Sequence, residues 1–145
     1  MITITHTQTV GASPDQWEHC LERLERKARA PMGFVPAIVG CSVLAEYDDG
    51  FLRRIELPDG TRLRERVFVH SADHFVFDQV DDPDLAAIEN RLTVSEGEIR
   101  FTIRVTLSAK GTERAFGDVE WFRGTHDYFG STVESIVAGL AAHRD

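Results

Sequence analysis

The sequence predicts an α+β protein in which a curved, seven-stranded antiparallel sheet wraps around a long C-terminal helix. Three observations lead there. Six runs between residues 39 and 107 carry apolar side chains at alternate positions, with turn residues between them, as a meander of half-buried strands requires. A seventh alternating run, Ile2 and Ile4 among threonines, opens the chain. Residues 126–143 change period: Phe129, Val133, Ile136, Val137 and Leu140 follow at spacings of four, three, one and three, one apolar stripe on a helix. Such a helix is marginal alone and gains stability by covering a surface. The dry side of the sheet is that surface.

After the first strand, Gly11-Ala12-Ser13-Pro14 breaks the alternation. Ser13 before Pro14, with Gln16 three residues on, has the form of an N-cap with proline at the first helical position. The helix then runs over 14–29, with Trp17, Cys20, Leu21, Leu24 and Ala28 on its apolar side. Glu18, Glu22, Glu25, Arg26 and Arg29 form a solvated side. Pro31 stops it, and Gly33 and Pro36 keep the next segment short and bent, so that an N-terminal helical pair closes one end of the sheet.

Strands follow over 39–47, 51–57, 63–69, 75–80, 89–95 and 99–107, with turns at Asp48-Asp49-Gly50, Pro58-Asp59-Gly60 and Glu96-Gly97 among them. In the last and longest, Ile99, Phe101, Ile103, Val105 and Leu107 face one way and Arg100, Thr102, Arg104 and Thr106 the other. Residues 108–124 show no clear period and are assigned to a strand extension or loop. Thr125 then offers an N-cap hydroxyl to the final helix.

Composition bounds the function. The 145 residues amount to one domain, 1–145, able to bury a substantial core. A formal charge of −8, from 24 acidic and 16 basic residues, disfavours general nucleic-acid binding. No apolar run approaches ~18 residues, so no membrane span is expected. MITITHTQTV lacks the basic and apolar regions of a secretory signal. Cys20 and Cys41 read as small buried hydrophobes in a reducing, cytoplasmic compartment. There is no glycine-rich phosphate loop, nucleophile elbow or paired-cysteine site. His70 and His74 flank a turn, Ser71-Ala72-Asp73, which does not aim both rings at one ion. Neither a metal nor another cofactor is expected.

Turn geometry yields the inward-facing residues. With Pro58-Asp59-Gly60 as a three-residue loop, Ile55 pairs with Leu63, Arg53 with Glu65 and Phe51 with Val67. Asp48-Asp49-Gly50 read likewise sets Tyr47 opposite Phe51 and Ala45 opposite Arg53. With Glu96-Gly97 as a turn, Leu92 pairs with Phe101 and Asn90 with Ile103. The dry face then carries Arg53, Glu65, Asn90, Gln79 and the Tyr47 hydroxyl. Packing alone would not put them there, because a buried unpaired charge is heavily penalised. Two readings stand. Arg53 and Glu65 are a self-satisfied pair that fixes register, or they form a polar spot that orients a small molecule in an apolar cavity.

The order of elements is similar to the helix-grip fold shared by START lipid-transfer domains, Bet v 1 allergens and polyketide aromatase/cyclases, the SRPBCC superfamily. Within it, Arg29-Ala30-Pro31, Phe34-Val35-Pro36-Ala37-Ile38, Cys41, Val43-Leu44-Ala45-Glu46, Leu52-Arg53-Arg54 and Arg64-Glu65-Arg66-Val67 resemble the AtaL-like family. That family takes its name from a fungal secondary-metabolite cluster. The resemblance is closest over residues 17–105 and fades between Ser108 and Gly124. It implies a sheet around the last helix with a hydrophobic cavity between, and it brings no catalytic motif.

Two functional classes follow. The first binds a small hydrophobic molecule, aromatic or polyketide-like, in the cavity, as a secondary-metabolism cyclase or isomerase or as a carrier. Its expected lining is Tyr47, Arg53, Glu65, Phe77, Gln79, Asn90, Phe101, Phe129, Val133 and Val137. Arg53 and Glu65 would serve enolate stabilisation and proton transfer. His126, near the cavity mouth with Trp121, Phe122 and Tyr128, is a further acid–base candidate. The second class is a non-catalytic protein-interaction domain with a packed core. Either is compatible with a homo-oligomer.

Overall fold

The computed structural model describes residues 1–142. Its elements are β1 (Thr3–Ala12), α1 (Trp17–Arg29), β2 (Gly40–Tyr47), β3 (Gly50–Glu56), β4 (Arg62–Ser71), β5 (His74–Gln79), β6 (Leu85–Ser95), β7 (Glu98–Leu107), α2 (Ala109–Gly117) and α3 (Val119–Ala141). The strands make one antiparallel sheet in the order β1-β7-β6-β5-β4-β3-β2. Consecutive strands from β2 to β7 are neighbours, and β1 docks on the far side of β7. Register shifts in β1, β2, β4 and β6 bend the sheet. Its inner face curves around α3, which buries Phe129, Val133, Ile136, Val137 and Leu140. Among the described residues no helix is long and apolar enough to cross a membrane.

Two hairpins follow the sequence reading. Arg53 lies opposite Glu65 and Ile55 opposite Leu63, with Leu57 N–H bonded to Thr61 O and Gly60 at φ +87°. Leu92 lies opposite Phe101 and Asn90 opposite Ile103 across the Glu96-Gly97 turn. All five inward residues of β7 are buried.

The turn before β3 departs from it. Gly50 is a strand residue opposite Tyr47, leaving only Asp48 and Asp49 in the loop, and a shift between Val43 and Ala45 restores the pairing beyond. Arg53 therefore faces Val43, not Ala45, and Tyr47 turns outward. The cause is steric. Gly50 has φ +153°, and a Cβ there would lie 1.9 Å from Val67 O, so only glycine lets β3 approach β4 at that point.

The helices also start elsewhere. Ser13 N–H bonds to Gly97 O, continuing the sheet, and α1 begins at Trp17. Gln16 occupies the N-cap position, while its side-chain Oε1 accepts from Ala12 N–H. The expected second member of the helical pair is a succession of turns over 31–37. Residues 108–124, expected as strand or loop, are α2 and the start of α3. Ser108 Oγ caps α2 by accepting from Gly111 N–H. Asp118 closes α2 through its own N–H to Arg114 O and caps α3 by accepting from Trp121 N–H. Thr125 is no cap: inside α3, its hydroxyl donates to Trp121 O. His143, where the sequence places the end of the final helix, lies outside the described residues.

Gly50→Ala is expected to destabilise by about 1–3 kcal/mol or more, combining backbone strain with the clash at Val67 O. Gly124→Ala, in α3 with open space around its Cα, is expected to stabilise by about 0.5–1 kcal/mol. Urea unfolding of both variants checks this. Equal effects would refute the strand role assigned to Gly50.

Candidate functional site

Three adjacent strands place one polar residue each in a row across the inner face: Arg53 of β3, Glu65 of β4 and Gln79 of β5. Arg53 donates through Nε to Glu65 Oε1 at 2.8 Å, with Nη2 at 2.7 Å, and both side chains are buried. Gln79 Nε2 donates to Glu65 Oε2 and to Phe77 O. Arg53 Nη1 donates to Ala28 O at 2.7 Å, near the end of α1. Each ionised group thus has the partners that burial demands.

α1 supplies a fourth polar group. Lys27 is 4% exposed, and its ammonium donates to Asn90 Oδ1 while lying 4.7 Å from the centre of the Phe77 ring. Arg53 Cζ lies 4.6 Å from the same centre. No carboxylate pairs with Lys27 among the described residues, and the buried Asn90 Nδ2 finds no hydrogen-bond partner. Burial, then the nearby Arg53 charge, push the Lys27 pKa from the ordinary lysine range down to about 7, against the opposing pull of Glu65.

These groups adjoin a cavity of about 170 Å³ between the sheet, α1 and α3. Its apolar wall includes Val35, Ile38, Ile55, Leu63, Ile88, Ile103, Phe129 and Ile136; Lys27, Arg53, Glu65, Gln79, Tyr128 and Thr132 supply polarity. Burial raises the Tyr128 pKa, and its ring meets Phe129 edge-on at 5.1 Å. A wider groove of about 780 Å³, open to solvent, runs between α1 and the β4–β5 turn. Its wall carries Glu18, Glu22 and Glu25 and lacks the polar row. Among the described residues no three histidine, cysteine or acidic side chains are grouped to hold a metal ion.

Of the residues singled out from sequence, Arg53, Glu65, Phe77, Gln79 and Phe129 border the cavity. Asn90 is fully buried beside it, reached through Lys27. Phe101, Val133 and Val137 belong to the packed core, because α3 rests directly on β1 and β7 and the space opens towards β3–β6. Tyr47 is 49% exposed, with Arg66 stacked on its ring. His126 is exposed over β1, where its carbonyl accepts from His6 Nε2, so it does not reach the cavity. Lys27 escaped the sequence reading. Its position, three after Leu24 and seven after Cys20, was the available signal, since both are on the buried stripe of α1.

The depressed Lys27 pKa has a sign. The unfolded chain binds more protons than the folded one between about pH 7 and the ordinary lysine range, so stability rises with pH across that window. Lys27→Met is expected to stabilise most at about pH 6, by up to roughly 5 kcal/mol, and progressively less towards about pH 10. Denaturant unfolding of both proteins across this range checks it. Parallel pH profiles would refute the buried charge.

The same fold recurs in solved structures of low identity. An uncharacterized protein from Bacillus thuringiensis superposes with a TM-score of 0.71 at 13% identity, over 97% of this chain and 100% of that one. The Zhui aromatase/cyclase from Streptomyces sp. R1128 gives 0.67 at 13% identity, over 96% and 93%. The di-domain ARO/CYC StfQ of the steffimycin biosynthetic pathway gives 0.64 at 11% identity, over 97% of this chain and 50% of that one. These likenesses establish the helix-grip fold. No curated protein matches the sequence significantly. Residues 15–120 match the family described as acetylaranotin biosynthesis cluster protein L. That is most of the chain, and the protein belongs to the AtaL family.

Proposed function

We propose that the protein binds a small, largely apolar molecule bearing one polar group, of aromatic or polyketide-like character, in the cavity between α3 and the sheet. It then acts on that molecule or carries it. The observation that carries this reading is the cavity itself. Its volume of about 170 Å³ compares with the ~150 Å³ that accommodates benzene in an engineered apolar site. Apolar walls with a few convergent polar groups are the usual composition of a small-molecule site. The size selects single rings or short chains. The family's description and the aromatase/cyclase neighbours support a place in biosynthetic chemistry. The packed core required by the interaction-domain reading is not what these walls suggest.

The polar row suits orientation. Both Glu65 oxygens already accept hydrogen bonds, from Arg53 and Gln79, which occupies the carboxylate within the row. Its role in this reading is to hold the Arg53 guanidinium towards a ligand carbonyl, with Gln79 steadying the carboxylate from the other side.

Calorimetric titration with neutral single-ring compounds is expected to find binding. Ile88→Trp, filling the cavity from β6, should abolish it while unfolding stays cooperative. If no such compound binds the wild type, the reading fails. Glu65→Ala alone, leaving the guanidinium unpaired, should cost about 3–5 kcal/mol of stability. The Arg53→Leu/Glu65→Leu double variant should fold yet lose about tenfold in affinity for ring ketones. Unchanged affinity would remove the orienting role.

A further inference from the structure

Beyond the polar row, the cavity contains a charge that the fold does not balance. Glu65 neutralises Arg53, and Lys27 is left with an amide oxygen and a ring face. An ammonium so placed has lost its hydration without gaining a counterion. The same carboxamide that receives its hydrogen bond carries Nδ2, a fully buried donor with no partner among the described residues. The ammonium lines the apolar space, and the unmet donor belongs to the side chain it is bonded to, which makes a site for a negatively charged oxygen.

Resting on the binding reading above, we propose that Lys27 is the proton acceptor of the cavity. It takes the hydroxyl proton of a small phenol or enolised β-dicarbonyl and holds the resulting oxyanion as an ammonium–oxyanion pair. The proton passes from ligand oxygen to the Nζ lone pair, and the O–H bonding electrons stay on the oxygen. No other reactant is consumed. The step explains how charge enters a dry site. A neutral amine and a neutral hydroxyl compound meet without carrying a bare ion out of water, and the ions form only where each neutralises the other. A carboxylic acid, already ionised in neutral water, would have to be desolvated as an anion. The class is therefore an acidic hydroxyl on an unsaturated carbon.

The other charged groups around Lys27 favour a poised amine. Arg53 of β3 lowers its proton affinity and Glu65 of β4 raises it. Asp82 and Tyr128 are further titratable groups on the cavity wall, and Cys41 of β2, its thiol pKa raised by burial, interacts with the Arg53–Glu65 pair. With its pKa at about 7, Lys27 exchanges a proton near neutrality, where an ordinary lysine would stay charged.

The probe is para-nitrophenol, whose phenolate alone absorbs in the visible, with para-nitrotoluene as its non-acidic isostere. The wild type is expected to bind nitrophenol as phenolate at a pH where the free dye is protonated, and about tenfold more tightly than nitrotoluene. Across a series of phenols, affinity should peak between the pKa of Lys27 and that of the ligand, because binding needs one proton shared by the two. Lys27→Met should take nitrophenol only in its colourless form and lose the preference for it over nitrotoluene. A colourless bound dye in the wild type, or a phenolate spectrum in Lys27→Met, overturns the proposal. So does nitrotoluene binding without nitrophenol binding. If neither compound binds, the cavity reading itself falls and this inference with it. Should Lys27→Met fail to fold, the wild-type spectrum and pH optimum decide alone.

Discussion

The arrangement depends on one guanidinium. Arg53 is buried, and a buried charge must have nearly all its hydrogen-bonding capacity met or the fold pays heavily. It meets that demand on two neighbouring elements: Glu65 on β4, and the carbonyls of Ala28 and, more distantly, Lys27 on α1. Those carbonyls lie in the last turn of α1, where helical partners run out. A sheet residue thus supplies what a cap otherwise would. The same contact fixes how α1 lies over the sheet, and with it where Lys27 points. Register, helix placement and site geometry follow from one side chain.

Much of this was legible in the sequence because turn chemistry and alternation agree. At Pro58-Asp59-Gly60 only one register puts apolar residues on one face, and it sets Arg53 against Glu65. Where the agreement lapses, so does the reading. Asp48-Asp49-Gly50 has the same composition as a loop, but its glycine answers to a carbonyl on β4, a contact distant in sequence. That one slip carried Tyr47 from the cavity to the surface. Residues 108–124 hide two helix caps, Ser108 and Asp118, in a stretch whose glycines and charges blur the helical period. Lys27 was hidden differently. Lysine is ordinarily solvated, and only its place on the apolar stripe of α1 marks it as buried.

The solved neighbours share the backbone arrangement at 10–16% identity. Such divergence is what a sheet gripping a helix permits. Its core asks for apolar residues of suitable volume at alternate positions, and many combinations satisfy it.

Stability alone does not account for the polar row, still less for Lys27. An apolar pair in place of Arg53 and Glu65 would fill the site without desolvating two ions, and such replacements are commonly neutral or stabilising. The pair at least fixes a register and anchors a helix. Lys27 does neither: among the described residues its side-chain hydrogen bond is to an amide, and leucine or methionine has comparable helix propensity. Keeping an amine there lowers stability at neutral pH. A group that weakens the fold where the fold does not require it, beside a cavity of ligand size, is most simply understood through what that cavity holds.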